Sequence, residues 1–210
     1  MIFVEKVERK GNKIQVTFSD STILKLSSDV YKKFPISAGE ELDESFIELI
    51  KKENEYFEVK KSALRFLSIR NHSSQELYKK LSKKKFSDQI IKKVIDELLS
   101  IGYLNDKKFA EQYLSELTGK LFGPLKIKNE MIKRGIAKEI IDDVLSDYFN
   151  NDEIQKEVIK NILSKNRFPK KISNRNEMQK IYNYLISRGF QNGIVMEVLK
   201  EKMNLDLDKI

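Results

Sequence analysis

One helical pattern returns three times along this chain, and it constrains the fold more than any other feature. It reads "LSKKKFSDQIIKKVIDELLSIGYLND" from Leu81 to Asp106, "MIKRGIAKEIIDDVLSDYFNND" from Met131 to Asp152, and "LISRGFQNGIVMEVLKEKMN" from Leu185 to Asn204. In each copy an apolar residue precedes a second one by five positions: Leu81 and Phe86, Met131 and Ile136, Leu185 and Phe190. A helical stripe follows, with Ile90, Val94 and Leu98 in the first copy and Ile140, Val144 and Tyr148 in the second. The third has Ile194 and Val198 but then Lys202, with Met203 adjacent to take over the apolar role. Spacing of this kind puts one apolar face on each helix.

Turn residues set the register. Ser73 with Glu76 has the spacing of a capping box, and Gly123-Pro124 opens the matching helix of the second copy. Gly135 and Gly189 each follow an arginine, where a left-handed residue ends a helix; the first copy has Lys85 there. Gly102 ends the third helix of the first copy, and Asp106 is expected to cap the next. The spacing thus predicts helices over 61–70, 73–84 and 87–101, then 106–118, 124–134 and 137–149, then 152–164, 176–188 and 191–204. A unit of about 50 residues buries little apolar surface alone, so neighbours should stack. The fold class expected is mainly α: tandem three-helix repeats in three copies (61–106, 107–151 and 152–210), forming an elongated curved array.

Residues 1–60 differ in period. Ile14, Val16 and Phe18 alternate, Ile23, Leu24 and Leu26 form a second run, and Lys10-Gly11-Asn12 and Ser19-Asp20-Ser21 are turn chemistry. A three-stranded β-meander is expected, covered by a helix in "LDESFIELIKKENEYF" with Asp43 as its N-cap.

Charge is unevenly spread. The net charge is +8, but residues 1–60 hold 10 Lys and Arg against 12 Asp and Glu, while 61–106 hold 10 against 5. Residues 107–152 balance at 8 against 8, and 153–210 hold 12 against 7. Such a distribution suits a polyanion or an acidic protein surface as partner. The chain has no cysteine, which excludes disulfides and thiolate metal sites and fits a reducing compartment. No apolar run reaches the ~18 residues of a membrane span, and no signal-peptide core is present, so a cytoplasmic location is expected.

"ALRFLSIRNHSSQELYKKL", "VIDELLSIGYLNDKKFAEQYL" and "KIKNEMIKRGI" together resemble the RecX proteins, regulators of the RecA recombinase. The resemblance spans about residues 60–205, and residues 1–60 resemble the strand-rich extension of longer Gram-positive forms. It implies a helical array lying in the groove of a RecA–DNA filament, blocking its extension or destabilising it, and so lowering ATP hydrolysis and strand exchange in DNA repair. It brings no catalytic residue and no cofactor. The partners implied are the RecA filament and single- or double-stranded DNA, bound weakly alone; a monomer is expected. Two positions depart from the family pattern. His72 stands where arginine is frequent, making a basic contact there pH-dependent. Lys85 replaces the corner glycine, which implies a differently shaped corner.

The candidate binding residues are basic. Lys79, Lys80, Lys83, Lys84 and Lys85 cluster at a helix end, where the helix dipole alone would favour them. Arg65 and Arg70 lie on the helix before. Lys126, Lys128, Lys133, Arg134 and Arg188 sit on the corresponding helices of the later copies, and Lys165, Arg167, Lys170 and Lys171 fill the loop "SKNRFPKKISNRN", with Phe168 as its anchor. An enzyme is not expected: a single histidine makes no His-rich metal site, and no phosphate-cradling loop occurs. A direct DNA-binding helix-turn-helix protein and a plain helical scaffold remain alternatives.

Overall fold

A computed structural model of the chain describes residues 2–165, 168, 169, 172 and 174–204. Four strands and a helix open it: β1 (Ile2–Lys10), β2 (Lys13–Phe18), β3 (Ile23–Ser27), α1 (Ser28–Lys33) and β4 (Glu41–Leu42). The expected meander is there, but the sheet is four-stranded and antiparallel, in the order β3-β2-β1-β4. The fourth strand is two residues long and lies in a polar stretch, so alternation could not announce it. Backbone bonds from Val4 N–H to Glu40 O (2.9 Å) and from Gly39 N–H to Val4 O (2.8 Å) lay it on β1. Val4, Val16, Phe18 and Leu26 form the buried face, packed on Ile47 and Ile50.

Those two residues belong to α2 (Glu44–Ile69), a single helix of 26 residues. The helix expected within 42–57 and the one expected at 61–70 are therefore one element, and the boundary expected at 60/61 falls inside it. No glycine or proline occurs between Gly39 and Gly102, so nothing in the chain interrupts the helix. Asp43 precedes it without a side-chain cap bond. Asn54 of α2 also closes the outer edge of β3, its Oδ1 accepting from Ser27 N–H (2.8 Å) and its Nδ2 donating to Lys25 O (3.2 Å). An amide thus occupies the groups that another strand would use.

The second half of α2 brings Val59 and Ala63 to a core shared with α3 (Ser74–Ser82) and α4 (Asp88–Ser100), through Leu77, Leu81, Ile91, Val94 and Leu98. Lys60 Nζ reaches Glu97 Oε1 at 2.6 Å, and Tyr56 OH bonds the same carboxylate, tying α2 to α4. Gly102 (φ +77) and Leu104, which is buried, close the end of α4, while Tyr103 is exposed. The chain divides into two compact units, one of Met1–His72 with Glu76–Leu104, the other of Ser73–Gln75 with Asn105–Ile210.

In the second unit α5 (Asp106–Gly119), α6 (Pro124–Lys133) and α7 (Lys138–Asn150) surround Ala110, Ile127, Met131, Ile141 and Leu145. Three further helices, α8 (Asp152–Ser164), α9 (Arg175–Ser187) and α10 (Asn192–Asn204), surround Ile159, Leu185, Phe190, Val195 and Leu199. Leu81, Met131 and Leu185, matched by sequence, are all fully buried, as the register requires. Burying each contributes about 2 kcal/mol. Lys202, where the pattern failed, is half-buried and donates to Pro169 O (3.4 Å).

Candidate nucleic-acid interface

Among the described residues the first unit carries a dense basic surface. Lys84 Nζ donates to Ser62 Oγ at 3.2 Å, which sets the tail of α3 beside the last turns of α2. Lys80 and Lys84 lie over the Phe66 ring, 4.9 and 5.2 Å from its centroid. Their ammonium groups are steered by the ring's negative face. Around them Arg65, Lys79, Lys83 and Lys85 are exposed, and among the described residues their side chains have no hydrogen bond or ion pair. Lys61, one turn before Arg65 and over the Phe57 ring at 6.0 Å, adds to the same helix face. Its i, i+4 spacing from Arg65 marked it, but a boundary expected beside it at 60/61 hid the signal.

Arg70 and His72 are not part of that free surface. Arg70 Nη1 donates to Glu76 Oε2 (3.0 Å) and to Asn71 O (2.7 Å), so its charge is spent on the α2–α3 turn. His72 is 3% exposed and cannot meet a partner at all. Its Nδ1–H donates to Arg70 O at 2.9 Å, leaving Nε2 a buried lone pair with no donor among the described residues. Burial holds its pKa below the ordinary 6.5. The pH-dependent contact expected there gives way to a buried, neutral ring.

The corner arginines of the second unit serve packing. Arg134 lies over Tyr113, 5.2 Å from its centroid, and Arg188 sits between Phe122 (5.1 Å) and Tyr184 (5.3 Å), with Nε donating to Tyr184 Oη at 2.9 Å. The corners themselves receive helix starts. Arg134 O accepts from Ser73 Oγ (2.6 Å), and Arg188 O accepts from Gly123 N–H (2.8 Å). Gly189 O takes Leu125 N–H at 3.0 Å. Ser73 and Gly123 occupy corresponding places, each immediately before a middle helix. Carbonyls left free at one helix end thus satisfy donors left free at another.

The glycines are needed twice over. Gly135 and Gly189 have φ of +72 and +86. A Cβ at Gly135 would lie 2.5 Å from Gln75 Cβ, and one at Gly189 would lie 2.5 Å from Lys126 Cβ. Gly123 is equally tight, its added Cβ falling 2.5 Å from Phe190 N. Lys85 keeps the left-handed backbone, φ +62, so the different shape expected for its corner is not found.

Asp106 was expected to cap α5, but that cap is Asn105, whose Oδ1 accepts Lys108 N–H at 2.8 Å. Asp106 turns instead to the start of α3, accepting Ser74 N–H (2.7 Å) and Ser74 Oγ–H (2.5 Å). It is a cap for a helix thirty residues upstream, invisible to local pattern.

The remaining candidates divide. Lys128 pairs with Asp142 and Lys133 with Glu130, both at 2.7 Å, and each lysine holds its carboxylate below the usual range. Lys126 lies over Phe122 at 4.7 Å and reaches Ser187 O at 3.4 Å. Lys165 is exposed, while Arg167, Lys170 and Lys171 lie outside the described residues. Phe168 packs on Tyr184, centroids 5.2 Å apart, as an anchor does. No group of three or more His, Asp or Glu among the described residues is placed to hold a metal ion. No described helix is long and apolar enough to cross a membrane.

Comparison with known proteins gives a consistent result. Residues 60–98 match the family model of the first three-helix domain of RecX, and residues 105–145 that of the second. The regulatory protein RecX of Bacillus velezensis is 30% identical over 207 residues, covering 96% of this chain and 78% of that protein. That of Chlorobium phaeobacteroides is 33% identical over 141 residues, covering 66% and 89%. Among solved structures, RecX from Lactobacillus salivarius superposes with a TM-score of 0.64 at 28% identity, over 74% of this chain and 99% of that one. A second crystal structure of regulatory protein RecX shares the fold over 96% of this chain and 100% of its own, with a TM-score of 0.69 at 21% identity.

Proposed function

The chain belongs to the RecX family, and from that premise we propose that it regulates the RecA recombinase by lying in the groove of a RecA–DNA filament. The three-helix groups 61–106, 107–151 and 152–210 space its contacts along the filament. In this reading Arg65, Lys79, Lys83 and Lys85, with Lys61, meet DNA phosphates or acidic filament surface, and Lys165 adds a contact further on. Arg70, Arg134, Arg188, Lys128 and Lys133 are removed from the contact set, because acids, aromatic rings or carbonyls already hold them.

The observation that carries the reading is the group Arg65, Lys79, Lys83 and Lys85, exposed on α2, α3 and the turn after α3, whose side chains have no hydrogen bond or ion pair among the described residues. Leaving charges unpaired and close together is unfavourable for the fold alone, and favourable once a polyanion sits on them. Contacts of this kind release counterions, so binding weakens as salt rises, by about 0.7–0.9 in log K per log salt for each phosphate met. They are indifferent to base sequence.

The test is RecA's ATP hydrolysis on single-stranded DNA, with protein and RecA from the same organism. Inhibition well below one copy per RecA is expected for a protein that caps or nucleates disassembly. Inhibition only near saturation would mean groove occupancy along the whole filament. Replacing Lys79, Lys83 and Lys85 together by glutamate should raise the half-inhibitory concentration about tenfold or more. No effect of the wild-type protein on hydrolysis, together with tight binding to a particular naked duplex, would refute filament regulation in favour of a helix-turn-helix DNA binder.

A further inference from the structure

The junction between a helix corner and a helix start is made twice in the second unit, by the same parts. The acceptor is an Arg-Gly corner, Arg134-Gly135 or Arg188-Gly189; the donor is the start of a middle helix, at Ser73–Gln75 or Gly123–Lys126. Among the described residues there is one more of each. Lys84-Lys85 is a third corner at the end of α3, in the first unit, and Asn174–Asn176 is a third middle-helix start, on α9 in the second. Both are exposed.

We propose that these two spare halves are complementary between two copies of this chain, and that the Lys85 side chain keeps them from joining. The corner already has the docking backbone: φ is +62 at Lys85, close to +72 at Gly135. What differs is volume. At the occupied corners any Cβ would lie 2.5 Å from Gln75 Cβ or Lys126 Cβ, so a corner bearing a side chain cannot take a helix start at the same distance. Lysine is therefore tolerated where nothing docks, and there it prevents docking.

A block at this place has a purpose set by symmetry. A corner of one unit joining a helix start of the other unit in a second copy is a heterologous contact, and repeated copies would grow as an open chain. An array made of stacking repeats needs a terminal residue that stops stacking, as edge strands need a charged residue.

Sedimentation velocity on the whole protein tests this. Lys85→Gly should raise the weight-average mass about twofold or more at ~100 µM, since an open contact does not close on itself. Lys85→Ala keeps the Cβ and should sediment as wild type. Adding Asn176→Arg to Lys85→Gly should return it to wild-type behaviour by filling the donor half. Equal sedimentation of Lys85→Gly and Lys85→Ala, associated or not, would overturn the steric block. Association of Lys85→Gly that survives Asn176→Arg would overturn the assignment of α9 as donor. Both substitutions at 85 are at exposed positions, and glycine relieves the left-handed backbone, so folding is preserved.

Discussion

The corner at Lys85 and those at Gly135 and Gly189 have the same backbone and opposite surroundings. All three residues are left-handed, with φ of +62, +72 and +86. At Gly135 and Gly189 a helix start lies against the missing side chain, and the preceding arginine is laid over Tyr113, or over Phe122 and Tyr184. At Lys85 the side chain is exposed, and so are Lys83 and Lys84. Recurrence of a residue within a repeat protein thus has two sources. Gly and Arg recur where a junction between helix groups recurs; lysine stands at the first corner, where the described residues make no junction of this type. Positive charge common to all three corners therefore does not mean a common partner.

Breaking the tightest corner should have the largest effect. Gly189→Ala combines a left-handed penalty with a close approach to Lys126 backbone, and should lower unfolding free energy by about 3 kcal/mol in a denaturant titration. Gly135→Ala meets the flexible Gln75 side chain first and should lose about 2 kcal/mol. Amide exchange should show α9 exposed first in the former variant. If both cost no more than a left-handed alanine, the junction does not set the glycine.

Next comes the arginine. Arg188→Gln removes the stacking on Phe122 and Tyr184 and the bond to Tyr184 Oη, and should reduce stability by about 1 kcal/mol. The salt dependence of DNA binding, read by fluorescence anisotropy, should stay that of wild type; a flatter slope would return Arg188 to the contact set. At the first corner the sign reverses. Lys85→Gly relieves the left-handed backbone but gains unfolded-state freedom, for a net stabilisation of about 0.5 kcal/mol by thermal or chemical melt.

The smallest effect is a pH slope confined to the first unit, which holds the only histidine. The folded chain holds the His72 pKa below 6.5, so between those values the unfolded chain binds the extra proton. Stability should fall as pH drops below 6.5 and level off once the folded imidazole protonates as well. His72→Leu should flatten that slope, and amide exchange should place the change in α2 to α4 rather than α5 to α10.

Helix ends were legible where they rest on chemistry local to the chain. Pro124 has a fixed φ suited to a first turn, glycines at 102, 135 and 189 take the left-handed φ that other residues resist, and the helices stop or start there. The apolar stripe was equally local, which is why Leu81, Met131 and Leu185 emerge together in cores. The continuity of α2 was also written in the chain, as the absence of any breaker from residue 40 to 101. Strand β4 was not, because two residues in a polar stretch carry no period of their own.

The amino-acid order alone determined the periods, the breakers and the placement of charge, since each depends on neighbours within about five residues. The tertiary structure decided what each polar group is paired with. Asp106 caps α3 instead of α5, Glu76 takes Arg70, and His72 is buried beneath a basic surface it was expected to join. It also separated the lysines that pair with Asp142 and Glu130 from the exposed ones on α2, α3 and the turn that follows. Partners of this kind come from elements tens of residues apart. A side chain's polar needs are met by whichever group packing brings within about 3 Å, and sequence spacing does not record that distance.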